Sequence, residues 1–162
     1  MIHLNGIDES YPNDLPVSDT PVFLANKKVD AYLPRLIGNE MIITADTLVI
    51  SGERVLGKPR SFDEAFEMLK LLSGEIHKVV TGVCIHTRHK RKSIKAETEV
   101  KFANLEDKEI EFYINTFKPY DKAGSYGIQE WIGCIAVEWI KGSYYNVMGL
   151  PIHLLYKALK EF

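Results

Sequence analysis

The segment that most constrains this chain is Met41-Ile-Ile-Thr-Ala-Asp-Thr-Leu-Val-Ile50. It is rich in β-branched side chains, which lose rotamer freedom in a helix but pack well on a pleated surface. Its near-continuous apolar character predicts a buried strand. Asp46 is the one charge within it. A carboxylate inside such a strand costs several kcal/mol unless it is paired, hydrogen-bonded or bound to a metal. Two readings stand at this point. Asp46 is a strand-end aspartate bonding to backbone, or it is a metal ligand or general base.

A second stretch, Asp121-Lys-Ala-Gly-Ser-Tyr-Gly-Ile-Gln-Glu-Trp-Ile-Gly133, again sets an acid and a cation beside glycine turns. Between the two lies Leu56-Gly57-Lys58-Pro59. Gly57 permits close backbone approach and Pro59 stiffens the exit, so an ammonium held there suits a phosphate oxygen. The spacing GxxxxGK[ST] is missing, which excludes a Walker A loop. Taken singly, Lys58 and Lys122 are compatible with solvated surface lysines. Gln129 offers both a donor and an acceptor, as a reader of a base edge must, though an exposed polar residue is the plainer reading. Asp8-Glu9-Ser10 is a short acidic pair near the start, and Lys28 falls on the first helix; a solvated face explains each alone.

Strand and helix signals alternate along the chain. Thr20-Pro21 predicts a hydroxyl cap followed by proline at the first helical position, with the helix ending before Pro34. Ser61-x-x-Glu64 reads as a capping box opening a helix with Ala65, Met68, Leu69 and Leu72 on one face, stopped by Ser73-Gly74. A strand is expected over 79–86, then a solvated hairpin tip at Arg88-His-Lys-Arg-Lys92, then a strand with Thr98, Val100 and Phe102 on one face. A helix is expected over 107–117 with Ile110, Tyr113, Ile114 and Phe117 inward, a short strand over 134–140, and a last helix after Pro151 bearing Ile152, Leu155, Leu159 and Phe162. The alternation indicates an α/β or α+β fold.

At 162 residues the chain is read as one domain, spanning 1–162. A net charge of −2 argues against a non-specific nucleic-acid binder, so no nucleic-acid partner is expected. No basic segment leads into an apolar one at the start, and no apolar run approaches the roughly 20 residues that span a bilayer, so a cytoplasmic protein without membrane contact is expected. Cys84 and Cys134 read as two small core residues in a reducing compartment. The histidines show no metal spacing, and a hard cation held by carboxylates fits better than zinc.

Together these residues resemble the Maf family, also called septum formation inhibitor or nucleoside triphosphate pyrophosphatase proteins. The resemblance rests on Ala45-Asp46-Thr47, Leu56-Gly57-Lys58-Pro59, Leu72-Ser73-Gly74 with His77, Thr81-Gly82-Val83, Asp121-Lys122-Ala123-Gly124, Tyr126-Gly127-Ile128-Gln129, Gly142-Ser143-Tyr144 with Asn146-Val147, and Gly149-Leu150-Pro151, all in the family's order. It covers nearly the whole chain. It implies an α/β fold like that of inosine triphosphatase-like enzymes, with a mixed central sheet and a cleft between two lobes. It implies hydrolysis of a nucleoside triphosphate to the monophosphate and diphosphate with Mg²⁺ or Mn²⁺. It implies Asp46 as catalytic base, Glu9, Asp46 and Asp121 as metal ligands, and Lys28, Lys58 and Lys122 as phosphate ligands. Thr47 and Gln129 match the subgroup acting on dTTP and UTP. A homodimer is implied in the same way.

The family's usual opening strand and Ser-Pro-Arg-Arg loop have no counterpart in this sequence. The resemblance therefore implies a fold without that N-terminal strand and a phosphate site without two arginines. Either this is an incomplete version of a longer product, a short paralogue of reduced activity, or a chain whose site another completes. A non-catalytic nucleotide-binding or regulatory protein is the alternative expectation.

Overall fold

The structure is a computed structural model that describes residues 9–12 and 14–162. Asp8, half of the early acidic pair, lies outside the described residues. Among these residues five strands form one sheet: β1 (Ile42–Ser51), β2 (Arg54–Leu56), β3 (Ile76–His86), β4 (Arg91–Phe102) and β5 (Val137–Lys141), in the order β2-β1-β3-β4-β5. Six α-helices among the described residues accompany them: α1 (Thr20–Tyr32), α2 (Phe62–Leu72), α3 (Asp107–Phe117), α4 (Trp131–Ala136), α5 (Tyr144–Val147) and α6 (Ile152–Lys160). The α/β class is as expected. The sheet, expected to be mixed, is antiparallel at every described pairing. Tight turns join β1 to β2 and β3 to β4, and such turns permit only antiparallel neighbours. The α2 connection then returns the chain beside β1 in the opposite sense.

Strand alternation divides β1 between two faces. Ile42, Thr44 and Asp46 point to the face that α1 covers. There Thr44 donates to the Ala25 carbonyl at 2.6 Å, and Ala25, Val29 and Cys84 form a buried cluster with Ile42. Ala45, Thr47 and Val49 point to the other face. That face carries two apolar clusters. The larger joins Val49, Val79, Val100 and Phe102 to α2, α3 and α4; the smaller joins Val83, Ile85, Ala45 and Ile94 to α6. A polar row of Thr47, Thr81, Asn146 and Thr98 separates them.

Gly82, opposite Asp46 in the ladder, sets the approach of α1. A Cβ there would lie 2.3–2.5 Å from the Pro21–Val22 backbone, so only glycine lets the first turn of α1 rest on the sheet. Over 42–48, the β1 edge away from β3 pairs with no strand among the described residues.

Several local expectations hold. Ser61 caps α2, accepting from the Glu64 amide at 3.2 Å, while Glu64 reaches back one residue further, to the Arg60 amide at 2.8 Å. Helix α3 has the expected bounds with Ile110, Tyr113 and Ile114 buried, though Phe117 is half-exposed. Other expectations need correction. Thr20 is the first helical residue rather than a cap, because a 3-10 turn at Val17–Asp19 already begins the winding, and its buried hydroxyl finds no partner. Residues 134–136 are helical. Ile132 and Ala136, four apart, fall one helical turn apart on one face and are buried together in the larger cluster, whereas a strand would set them about 13 Å apart. Cys134 is exposed on that helix and only Cys84 is a core residue. Ile152 is also exposed, while Leu155 is buried as expected, Leu159 and Phe162 pack beside it, and Ala158 joins them. No helix among the described residues is long and apolar enough to cross a membrane.

Candidate active site

Lys28 lies three residues after Ala25 on α1 and so reaches the sheet beside the buried stripe of that helix. Its ammonium donates to Oδ1 of Asp46 in a close ion pair and stands 3.4 Å from Oε1 of Glu9. The same Glu9 oxygen lies 3.7 Å from the ammonium of Lys58. Two carboxylates and two ammoniums are thus linked in the order Asp46, Lys28, Glu9, Lys58. The Asp46 side chain is 9% exposed and Lys28 19%, while Glu9 and Lys58 are near half. Burial pushes the Asp46 carboxyl above its ordinary range, against the opposing pull of Lys28.

Lys58 arrives there by register. Leu56 is the last residue of β2 and faces Val49, so Gly57 and Lys58 leave the ladder where the open edge of β1 begins, beside Asp46. The Gly124 amide then donates to the Gly57 carbonyl at 3.0 Å, which fastens the loop after Asp121 to the loop carrying Lys58. Gly124 has φ +67°, a left-handed value, and a Cβ on it would press within 3.0 Å of Val49. The two sequence stretches are in this way drawn into one region of the surface.

Lys122 stands 2.8 Å from Asp121 and 3.2 Å from Glu130. Its hydrogen bond holds the Asp121 carboxyl below its usual range, with a smaller contribution from the charge of Lys58. Lys58 thus acts electrostatically on both Asp46 and Asp121. Gln129 is exposed, next to the buried Ile128. Thr47 is not beside Asp46. It lies on the opposite face, its hydroxyl 2.9 Å from that of Thr81, which in turn donates to the Asn146 carbonyl at 3.0 Å.

The donor set suits a hard cation. Among the described residues, no three His, Cys, Asp or Glu side chains stand together as a ready-made metal cluster. Mg²⁺, however, is commonly held by one or two carboxylates plus substrate phosphates. Asp46 and Glu9 meet that requirement, since both already converge on one positive group, the Lys28 ammonium. Asp121 does not join them in any ion pair and turns to Lys122.

Two participants were not singled out from the sequence. Glu130 accepts from the Tyr113 hydroxyl and pairs with Lys122. Tyr113 was expected inward on α3, but its polar tip had no evident partner. The available signal was Glu130 itself, an acid heading an apolar helix and adjacent to Gln129. The ladder of Thr47, Thr81, Asn146 and Thr98 was visible only as separate motif residues.

Comparison with known proteins extends this picture. The family model described as Maf-like protein matches residues 1–162. The dTTP/UTP pyrophosphatase of Parabacteroides distasonis is 50% identical over 159 residues, which cover 98% of this chain and 82% of that protein. The protein of the same name from Phocaeicola vulgatus is 52% identical over 158 residues, 98% of this chain and 82% of that one. The one from Porphyromonas gingivalis is 50% identical over 158 residues, covering 96% and 79%.

Proposed function

The chain belongs to the Maf family of Maf-like proteins, and we propose that it hydrolyses dTTP- and UTP-type nucleoside triphosphates to the monophosphate and diphosphate. The observation that carries this reading is the convergence of Asp46, Lys28, Glu9 and Lys58 at the open edge of β1. The names of the curated relatives, dTTP/UTP pyrophosphatase, support it, and they favour an enzyme over a non-catalytic binding protein.

In the proposed reaction, water adds to the α-phosphorus, the bond from that phosphorus to the bridging oxygen breaks, and diphosphate leaves. Such a step requires chiefly positioning and charge stabilisation. Asp46 takes the proton of the attacking water. Its burial makes it a stronger base than an exposed aspartate. Lys28, Lys58 and Lys122 neutralise the phosphates. Lys28 exchanges the Asp46 carboxylate for a phosphate oxygen as substrate arrives, which frees the base. A divalent cation, Mg²⁺ or Mn²⁺, supplies Lewis acidity and further charge neutralisation when bound. Asp46 and Glu9 would hold it, with Asp121 at the rim. Because the chain is slightly acidic overall, local cations rather than a global field must attract the substrate.

Gln129 reads the pyrimidine in this proposal, since its amide offers the donor and acceptor that a uracil or thymine edge requires and is exposed. Thr47 acts from the other face, shaping the strand through Thr81. The basic residues of the β3–β4 tip are engaged with Asp30, Glu161 and the carbonyl of Phe162, which favours the absence of a nucleic-acid partner. A single domain, a homodimer and a cytoplasmic setting complete the proposal.

A panel of dTTP, UTP, dATP and 7-methyl-GTP with Mg²⁺ tests it by diphosphate release. Turnover of dTTP and UTP well above the purine nucleotides is expected. Equal turnover of all four would overturn the specificity assignment, and none with any would overturn the activity.

A further inference from the structure

Behind Lys122 lies a line of contacts graded from interior to solvent. Tyr113 on α3 is fully buried. Its hydroxyl accepts the Gly127 amide at 3.0 Å and donates to Oε2 of Glu130. The other Glu130 oxygen faces the Lys122 ammonium at 3.2 Å, and Lys122 ends the line against Asp121, whose side chain is 77% exposed. The knot closes over Gly127, where a Cβ would lie 2.9 Å from Cδ of Glu130 and 3.0 Å from Cε of Lys122. Burial raises the Tyr113 hydroxyl well above its ordinary range, and its bond to Glu130 adds to the shift, so it remains a donor throughout the working pH range. Burial alone would lower the Lys122 ammonium, but its bonds to Asp121 and Glu130 prevail and keep it charged.

A lysine free to rotate loses side-chain entropy on binding an anion; one held in place beforehand loses less. Here the inner partner is anchored and the outer one is exposed. We infer that Tyr113 and Glu130 are positioning residues that hold the Lys122 ammonium toward the substrate triphosphate, with Asp121 as the partner a phosphate oxygen displaces. This rests on the reading of Lys122 as a phosphate ligand.

The test is a double-mutant cycle with Tyr113→Phe and Lys122→Ala, read as KM and kcat for dTTP with Mg²⁺, alongside Tm. Tyr113→Phe keeps the ring and its 5.2 Å stacking on Phe117, so the fold is retained. In the otherwise native protein it raises KM about three- to tenfold with kcat nearly unchanged, the effect of one lost hydrogen bond acting through binding. In the Lys122→Ala background it changes KM no further. A KM effect that persists without Lys122 would make Tyr113 merely structural and overturn the inference. So would an unchanged KM in the single variant while Lys122→Ala alone is damaging. If Lys122→Ala itself leaves KM unchanged, the phosphate-ligand reading fails, and this inference with it.

Discussion

Asp46 and Thr47 are adjacent in sequence yet serve opposite faces of the same strand, and the two polar groupings they belong to differ in kind. The ladder from Thr47 through Thr81, Asn146 and Thr98 is neutral and buried except at Thr47, and its bonds run among its own members and nearby backbone, with Asn146 Oδ1 left unpartnered. Asn146 donates to the Val79 carbonyl and to the Thr98 hydroxyl, each at 3.0 Å. The Asp46 cluster is charged, opens toward solvent at Glu9 and Lys58, and is joined by ion pairs whose partners can be exchanged. Neutral buried hydrogen bonds fix structure, because leaving any of them unmade costs a desolvation penalty. The outer pairs of Glu9, itself near half exposed, contribute little to stability and can be traded for a substrate phosphate. The fold thus separates what must stay fixed from what must move by the alternation of a single strand.

The comparison can be broken most severely through pH. His77 is buried against Tyr126 and Phe102, its Nε2 2.8 Å from the Tyr126 hydroxyl, and burial lowers its pKa to about 4. Below pH 6.5 the unfolded chain takes up a proton that the folded protein refuses. Stability present above that pH is therefore lost as pH falls toward 4, by roughly 3 kcal/mol in all. Urea unfolding at pH 7 and pH 4.5 measures this loss, and His77→Phe should shrink the difference.

Next in size is Asn146→Ala, which strips the ladder of its centre. A loss of about 2–3 kcal/mol is expected in urea unfolding, since the Val79 carbonyl loses its side-chain donor, the Thr98 hydroxyl loses one of its contacts and a cavity is left in a buried site. KM for dTTP should move far less than stability does. Lys58→Ala is the mirror case. KM should rise about tenfold, the equivalent of 1.4 kcal/mol for a lost charge-assisted contact, with Tm unchanged. The smallest effect belongs to Thr47→Val, about 1 kcal/mol of stability with kcat retained, because only the bond to Thr81 is lost. A Thr47→Val protein with normal stability and failed turnover would show that the two faces are not separate after all.

Much of the fold could be read from local signals. The capping serine of α2, the bounds of α3 and the alternation of β4 depend on neighbours within a few residues, and these stand as expected. What escaped depends on distant partners. The helical turn at 134–136 is decided by burial of Ile132 and Ala136 against the larger core, and the apolar run Ile135-Ala-Val137 reads equally well as strand. The antiparallel sense of β3 beside β1 is set by the path of the chain through α2, which no residue announces. In the site, residue types were legible because a charge in an apolar strand needs an explanation. Partnerships were not: that Lys28 rather than Lys58 makes the close pair with Asp46 follows from the pitch of α1 over Gly82. Tyr113 was legible as an apolar position, and its hydroxyl acquires meaning only once α3 lies over Glu130.

The central claim is that Asp46 is the base of a triphosphate-cleaving site rather than a structural ion-pair partner of Lys28. Diphosphate release from dTTP by the native protein and by Asp46→Asn, with Tm recorded for both, tests it most directly. The account predicts a kcat lower by about 10³-fold in the variant, as loss of a general base entails, at nearly the same Tm. An Asp46→Asn protein that unfolds several degrees earlier yet turns over dTTP at the native rate would contradict it.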